Sequence, residues 1–261
     1  MQLVVASRQL LDVVRVRIGD FDLWVREEAR SRHWDMEVAR PILAGDEYEL
    51  EALRSAGHRL RWVVDVGAHV GSFTLKIKRW WPGARVLAAE PDPDSAALFR
   101  QNVEGLDGVA FEEAAVLGRA GVSEVRLRQA GRANHDGNAA ASSVLEVAHP
   151  LPADRRPATA VVRAVSVLDL LERHELPRID LLKLDCEGAE AEILEALRDA
   201  GWMERVGWIR GEWHAWESVP RIEEALRATH VGAIQRGGVP WGAFIAHNDL
   251  GRRGHPDRQR A

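Results

Sequence analysis

Residues 62–71 read WVVDVGAHVG, and a second apolar run at residues 85–89 ends in the acid Glu90. The stretch between them, SFTLKIKRWW, has the apolar spacing of a helix. A strand, a glycine-containing turn, a helix and a second strand make up a β-α-β unit. The sequence therefore predicts an open α/β sheet that binds a nucleoside at the carboxyl ends of its strands.

The glycine turn, residues 67–71, has specific physical requirements. Gly67 and Gly71 let the backbone approach a ligand closely, at dihedral angles that a Cβ would disfavour. The helix that follows directs its free N–H groups and the positive end of its dipole toward this turn. Glu90 ends the second strand, where a carboxylate can accept hydrogen bonds from both hydroxyls of a ribose.

The glycine turn differs from the dinucleotide fingerprint. The Gly-x-Gly-x-x-Gly pattern requires a glycine at position 65, where this sequence has Asp65. A carboxylate there would repel a pyrophosphate and attract a cation. S-adenosylmethionine carries a ribose, a sulfonium and an ammonium but no phosphate, so we expect the turn to bind this cofactor. The alternatives are a nicotinamide dehydrogenase, which Asp65 disfavours, a nucleoside-binding regulatory module without catalysis, and an ordinary buried strand with a glycine turn.

The composition narrows the class of protein. The chain has 261 residues, 46% hydrophobic and 29% charged, enough for one sizeable core plus an appendage. A net charge of −5 argues against nucleic-acid partners. We find no apolar run of about 18 residues that would span a membrane and no signal peptide. The single cysteine, Cys186, excludes an internal disulfide and suits a cytoplasmic location.

Residues 1–58 form a predicted N-terminal extension. Two β-like runs, residues 13–18 and 21–25, predict a hairpin. A polar stretch with Pro41 follows, and then a helix is predicted over residues 46–55. Such an extension suits a lid over the site, a contact in a homodimer, or simple packing.

The predicted cofactor-binding domain, residues 59–250, alternates between helices and strands. Its further helices are predicted over residues 94–102, 167–174, 189–200 and 220–229, and its further strands over 109–116, 122–128, 159–165, 206–212, 231–236 and 241–246. The small, polar segment at residues 131–143 predicts a long loop, which is typical of functional or disordered segments. Residues 251–261 predict a disordered tail.

The segment IDLLKLDCEG, residues 179–188, predicts a buried parallel strand that carries two charges. Period-two alternation places Lys183 and Asp185 on the same face of this strand. Burying both charges costs too much free energy unless they are paired or ligated. Glu187 follows in the turn. Because ligands of open α/β sheets bind outside the carboxyl ends of the strands, we expect Asp185 and Glu187 to lie beside the glycine turn.

The next strand also ends in polar residues, Glu212 and His214. If the acceptor of such a cofactor's methyl group were an alcohol, whose pKa lies far above neutrality, a general base or a metal ion should assist the transfer. Asp185, Glu212 and His214 are the catalytic candidates, and His214 has the ordinary pKa best suited to a base. The same three side chains are also usual ligands of a divalent cation. Nothing in their spacing demands a metal, so no metal site is predicted.

Five segments together resemble a known family. They are DVGAHVGSFTL, AAEPDP, SVLDLL, IDLLKLDCEGAE and GEWH, and with their surroundings they cover about residues 46–247. They resemble the FkbM family of S-adenosylmethionine-dependent methyltransferases. The resemblance implies a class I methyltransferase fold: a Rossmann-like, doubly wound α/β sheet of seven strands, mostly parallel, with the last hairpin supplying an antiparallel edge.

The resemblance also implies a reaction. Relatives of this kind methylate a hydroxyl on a secondary metabolite or sugar and release S-adenosylhomocysteine, so the expected acceptor is a small molecule or a glycan. N-methylation of an amine or a peptide-derived product is the alternative.

Cofactor contacts are carried over by position. Glu90 looks like the ribose acid, Glu113 and Ala114 occupy the positions that border adenine, and Asp185 looks like the residue that faces the methionine part and the acceptor. Two residues depart from the family pattern: His69 replaces a commoner Asn or Gly, and Cys186 replaces an apolar residue. The full set of implied cofactor residues is Asp65, Gly67, Ala68, His69, Gly71, Ser72, Glu90, Pro91, Glu113, Ala114 and Asp185.

Overall fold

The computed structural model describes residues 12–128, 159–236 and 241–248. In these segments no helix is both long enough and apolar enough to cross a bilayer. The strands are β1 (Val13–Ile18), β2 (Phe21–Arg26), β3 (Trp62–Val66), β4 (Arg85–Ala89), β5 (Val109–Glu112), β6 (Ala115–Leu117), β7 (Glu124–Arg128), β8 (Thr159–Ser166), β9 (Ile179–Leu184), β10 (Val206–Trp213), β11 (His230–Ile234) and β12 (Gly242–Asn248). The helices are α1 (Ala29–Leu43), α2 (Leu50–Ser55), α3 (Ser72–Trp80), α4 (Pro93–Asn102), α5 (Val167–Arg173), α6 (Glu190–Asp199) and α7 (Ser218–Leu226), with a short 3₁₀ helix at Trp202–Arg205.

The central sheet has seven strands in the order β11-β12-β10-β9-β3-β4-β5. Strands β5, β4, β3, β9 and β10 are parallel, and β12 is antiparallel to both of its neighbours. This confirms the predicted Rossmann-like, doubly wound α/β sheet with an antiparallel final strand. The last hairpin supplies the edge of the sheet, as expected: β12 lies between β10 and β11, and β11 is outermost.

Helices cover both faces of the sheet because its central strands are apolar on both sides. Val63 belongs to a buried cluster with Phe73 of α3, whereas Val64 belongs to a second cluster with Ile193 of α6. Successive residues of β3 therefore face opposite layers, as the two-residue repeat of a strand requires. The continuous apolar runs that predicted buried parallel strands are explained by this arrangement.

The N-terminal segment contains one helix that we did not predict. The β1-β2 hairpin is confirmed, but the polar stretch after it forms α1, which includes Pro41 in its last turn. Pro41 lies two residues before the helix ends at Leu43, so it disturbs only the last turn. The helix predicted over residues 46–55 begins later, at Leu50, whose N–H donates to the Asp46 side chain at 2.8 Å.

The N-terminal extension packs directly onto the glycine turn. Val25 of β2, Leu43 of α1 and Val70 of the turn belong to one buried cluster. The Asn102 side-chain amide donates to the backbone carbonyls of Trp24, at 2.9 Å, and Val70, at 2.8 Å. The extension therefore borders the predicted ligand crevice. Its role as a lid or a dimer contact stays a prediction.

The strand predicted over residues 109–116 is split in two. β5 belongs to the central sheet, whereas β6 pairs with β8 in a separate sheet of order β6-β8-β7. The chain turns at Ala114, whose N–H donates to the Glu112 carbonyl at 3.0 Å. The other predicted elements are confirmed with small shifts at their ends. The loop at residues 131–143 and the tail at residues 251–261 lie outside the described segments.

A buried histidine at the start of β11 predicts a pH-dependent stability. The His230 Nε2 lies 3.1 Å from the Val206 carbonyl oxygen, and Nδ1 lies 2.8 Å from the Thr229 hydroxyl. Burial lowers the pKa of His230 to about 4. In the unfolded chain the imidazole has its ordinary pKa of about 6.5. Between pH 6.5 and pH 4, unfolding is therefore accompanied by the uptake of a proton on His230. Stability is therefore retained above pH 6.5 and lost as the pH falls toward 4.

We expect His230 to account for a loss of about 3 kcal/mol in the free energy of unfolding between pH 6.5 and 4. Urea denaturation at pH 7, 5.5 and 4.5 measures this loss. The His230→Gln variant can still donate a hydrogen bond to Val206 but has no titrating ring, so its stability should decline less over the same range. If the free energy of unfolding declined equally with pH in the wild type and in His230→Gln, His230 would be excluded as the cause.

Candidate active site

The direction in which strands are added to the sheet reverses between β3 and β9. Ligands of open α/β sheets bind in the crevice at this switch point, beside the carboxyl ends of the strands. The glycine turn follows β3, and the turn that begins at Asp185 follows β9. The Asp185 N–H donates to the Val66 carbonyl at 3.1 Å, and the Gly67 N–H donates to the Ala89 carbonyl at 3.0 Å. Backbone hydrogen bonds therefore join the ends of three neighbouring strands.

Gly67 is required by the contact between the two turns. Its φ is +78°, and a Cβ built on it would lie 1.7 Å from the backbone oxygen of Asp185. The close approach predicted for this glycine is thus to the neighbouring strand end. His69 also has a left-handed backbone, with φ of +49°, a conformation that is uncommon in a residue other than glycine and is found at functional sites.

Glu90 holds the glycine turn in place. Its side-chain Oε2 accepts from the His69 N–H at 2.9 Å, and Oε1 accepts from the Asp92 N–H at 2.8 Å. A carboxylate oxygen has two lone pairs, so each oxygen retains acceptor capacity for a ribose hydroxyl. Burial raises the pKa of Glu90 above its ordinary value. The position is consistent with the predicted ribose acid.

Asp65 lies beneath the glycine turn. It is fully buried, and its Oδ2 accepts from the Thr74 hydroxyl at 2.7 Å. Its Oδ1 lies 3.5 Å from Lys183 Nζ, and Lys183 also donates to the Gly67 carbonyl at 2.6 Å. Burial raises the pKa of Asp65. Asp65 therefore supports the turn from inside the protein, a role that the sequence analysis did not distinguish from direct cofactor contact.

The side chains of the remaining predicted cofactor residues differ in their exposure to solvent. Ala68, Ser72 and Ala114 are buried. Glu113 is partly exposed, and its carboxylate pairs with Arg100 at 2.8 Å. Pro91 follows Glu90 directly and is partly exposed. Among these five residues, Glu113 is the one with a partly exposed charged side chain.

Four side chains meet at the carboxyl ends of β9 and β10: Asp185, Glu187, Glu212 and His214. We call them the acid–histidine cluster. The His214 Nε2 lies 3.6 Å from Glu187 Oε1, 3.6 Å from Glu212 Oε2 and 3.8 Å from Asp185 Oδ1. On the other side of the ring, Nδ1 lies 2.9 Å from Glu190 Oε1. The structure thus brings together all the catalytic candidates that the sequence suggested.

The environment of His214 argues against its predicted role as a base. Burial would lower the pKa of His214, but the carboxylates of Glu190 and Glu212 raise it to about 12. The imidazole is then protonated at neutral pH and has no lone pair to accept a proton. Burial, together with the negative charge of Asp185 and other neighbours, raises the pKa of Glu187 to about 7.

Three residues that the sequence analysis missed contact or border the candidate site. The Tyr48 hydroxyl donates to Asp185 Oδ2 at 3.0 Å, and the Tyr48 carbonyl accepts from Arg210 Nε at 2.8 Å. Beside it, burial and the charges of Glu212 and Asp185 raise the pKa of Glu47 to about 7. The third is Glu190, which is fully buried.

The N-terminal extension adds a charged contact to the glycine turn. Arg26 pairs with the fully buried Asp35, at 2.5 Å between Nη2 and Oδ1, and Arg26 Nη2 lies 3.2 Å from His69 Nε2. Burial would raise the pKa of Asp35, but hydrogen bonds with His69 and Arg26 hold it well below its ordinary range. This contact was not predicted, because no helix was predicted over the polar stretch that forms α1.

The sequence of this chain is similar to those of known methyltransferases. Residues 65–230 match the family model described as the methyltransferase FkbM domain. Methyltransferase 1 of Beauveria bassiana (strain ARSEF 2860) is 31% identical over 159 residues, which cover 54% of this chain and 60% of that protein. Methyltransferase sdnD of Sordaria araneosa is 30% identical over 190 residues, which cover 63% of this chain and 71% of that protein. The chain therefore spans less than two thirds of the first relative's length.

Among solved structures, the N-terminal domain of human METTL16 in complex with SAH aligns with 80% of this chain and 70% of that chain, at 14% identity and a TM-score of 0.46. The matched family segment, residues 65–230, begins at Asp65 beneath the glycine turn and includes Glu90 and the whole acid–histidine cluster. The chain belongs to the FkbM methyltransferase family.

Proposed function

We propose that this protein is an S-adenosylmethionine-dependent methyltransferase that acts on a hydroxyl of a small molecule or glycan, such as a secondary metabolite or a sugar. The observation that carries the proposal is the juxtaposition at the switch point. Glu90 and the glycine turn lie on one side, and Asp185 with its neighbours lies on the other. A cofactor held by the first group would direct its reactive end toward the second.

The residues of the crevice suit the charges of this cofactor. Asp185, Glu187 and Glu212 lie at one end, where Lys183 and His214 are the nearby cations, and Lys183 is shared with Asp65. This excess of negative charge favours a sulfonium and an ammonium and disfavours a pyrophosphate. Glu90 adds the acceptor oxygens that a ribose requires.

Methyl transfer requires the protein to align the cofactor with the acceptor, and no covalent bond to the protein is needed. When bound, S-adenosylmethionine supplies an electrophilic methyl group, which the acceptor oxygen attacks as the carbon–sulfur electron pair returns to sulfur. Holding two reactants in line can contribute about 7–11 kcal/mol to lowering the barrier. Asp185 is suited to orient the acceptor hydroxyl, because Tyr48 and Lys183 hold its Oδ2 while Oδ1 faces the cluster. The hydroxyl proton passes to a carboxylate of the cluster, since His214 is already protonated.

An amine acceptor is the second candidate. The negative charge of the acid–histidine cluster attracts an ammonium group as well as the cofactor. Incubation with methyl-labelled S-adenosylmethionine and matched sugar, polyketide and amine acceptors distinguishes the two. Label in an alkali-stable ether of a hydroxyl acceptor supports the proposal, label only in amines favours the second candidate, and no labelled product from any class counts against both.

Glu90 provides a test of the cofactor site. We expect the Glu90→Gln variant to bind S-adenosylmethionine about tenfold to a hundredfold more weakly, because hydrogen bonds to a charged acceptor are worth about 1.5–3 kcal/mol. Isothermal titration calorimetry measures the affinity, and the melting temperature shows whether the turn remains folded. Glu104→Gln, at an exposed position after α4, is the matched control. Equal affinities for Glu90→Gln and the control would remove Glu90 from the cofactor site.

A further inference from the structure

Three side chains of the acid–histidine cluster have the spacing of metal ligands. One ligand atom from each of Asp185, Glu212 and His214 lies within 4.8 Å of the other two. The residues come from neighbouring parallel strands, since Leu184 of β9 pairs with Gly211 of β10. The strand ends therefore fix the separation of Asp185 and Glu212 without help from a flexible loop.

The contacts of His214 are spaced like those of a metal ligand. The distances from its Nε2 to Asp185 Oδ1 and Glu212 Oε2, 3.8 and 3.6 Å, are too long for good hydrogen bonds. They match instead the separation of about 3.5 Å between neighbouring ligands of a tetrahedral ion whose bonds are about 2.0–2.2 Å long.

The other ring nitrogen is held as metal-binding histidines usually are. His214 Nδ1 lies 2.9 Å from Glu190 Oε1, so that an N–H on Nδ1 leaves the Nε2 lone pair directed at the cluster. Glu190 is fully buried and is itself fixed by the N–H groups of Cys186 and Gly188, at 3.0 and 3.1 Å from Oε1. A histidine that ligates a metal typically donates its second N–H to a carboxylate in this way, which fixes the ring orientation.

We propose that Asp185, Glu212 and His214 bind a divalent cation. Carboxylates with one imidazole suit ions such as Mn²⁺, Fe²⁺ or Zn²⁺. The three side chains are 14–24% exposed, so an ion can enter from the crevice. Three protein ligands leave at least one coordination position open for another oxygen.

The role of the cation rests on the proposed methyl transfer, although its binding does not. An ion at this position would lower the pKa of an acceptor hydroxyl brought next to it, and a hydroxyl acceptor requires such activation because its pKa lies far above neutrality. The cation would replace the proton on His214 Nε2, and the neighbouring Glu187 would remain available for the proton of the acceptor.

Mn²⁺ is the probe that tests the site. Binding removes the electron paramagnetic resonance signal of the free hexaaqua ion, so it can be measured without any methyl acceptor. We expect one bound Mn²⁺ per wild-type chain, and an affinity lower by about tenfold or more in both His214→Gln and Glu212→Gln. Glu195→Gln, which removes a carboxylate that pairs with Arg221 on the outer side of α6, should bind Mn²⁺ like the wild type.

Two outcomes would overturn the cation site: no Mn²⁺ binding by folded wild-type protein, or binding that neither His214→Gln nor Glu212→Gln weakens. Melting curves of each variant identify a loss of fold, and either variant alone suffices if the other does not fold. S-adenosylmethionine is titrated into the same samples. Cofactor binding without Mn²⁺ binding defeats the cation site and leaves the proposed function standing, and the converse defeats the proposed function alone.

Discussion

The Asp185→Asn variant is expected to turn over at least about 100-fold more slowly than the wild type, with a much smaller change in cofactor affinity. Asparagine keeps the size of the side chain and can still accept the hydrogen bond from Tyr48. It removes the negative charge that faces Lys183 and His214, which lie 3.5 and 3.8 Å from the carboxylate oxygens. The loss should therefore appear in kcat, measured with the acceptor that the labelling panel identifies.

Tyr48→Phe is the matched variant for Asp185→Asn. It removes the hydroxyl that donates to Asp185 Oδ2 at 3.0 Å but leaves the carboxylate charge in place. We expect it to lower kcat less, by about tenfold, the equivalent of one ordinary hydrogen bond. Full activity of Asp185→Asn, at unchanged cofactor affinity, would show that the acidic end of the crevice takes no part in the transfer.

Gly67→Ala is expected to have the largest effect on folding. The new Cβ would lie 1.7 Å from the Asp185 backbone oxygen, and alanine is strained at φ of +78°. The obstacle is main chain at a strand end, so no side-chain rotation can relieve it. We expect a loss of more than about 4 kcal/mol in the free energy of unfolding, which is at the extreme of single substitutions. Any folded fraction should not bind S-adenosylmethionine.

Gly83→Ala is the control for that substitution. A Cβ at Gly83 meets nothing within 4 Å, and its φ lies outside the left-handed range that disfavours alanine. Its stability should stay within about 0.5 kcal/mol of the wild type in urea denaturation. If Gly67→Ala were as stable as Gly83→Ala, the close packing of the glycine turn against the end of β9 would be refuted.

The parts of the fold that could be predicted from sequence are those with a regular local pattern. Apolar runs predicted β3, β4 and β9, because buried parallel strands are apolar on both faces. Asp185 was identified for a related reason, since a carboxylate at the end of such a run needs a partner. By contrast, α1 begins in a polar stretch and contains Pro41, so no helix was predicted there.

The parts of the site that could not be predicted depend on contacts between distant residues. Tyr48 lies 137 positions from Asp185 in the chain, and no local pattern connects them. The surroundings of His214 could not be predicted for the same reason. Its ordinary pKa suggested a base near neutrality, but Glu190, which is 24 positions away, lies 2.9 Å from its ring. Chemistry that arises from such pairs requires the tertiary structure.

Calorimetric titration of the wild-type protein with S-adenosylmethionine and S-adenosylhomocysteine tests the central claim most directly. The account predicts a single site for each ligand with micromolar affinity, and no comparable binding of NAD. Circular dichroism on the same sample establishes that the protein is folded. A folded sample that binds neither S-adenosylmethionine nor S-adenosylhomocysteine would contradict the proposed cofactor site and the function built on it.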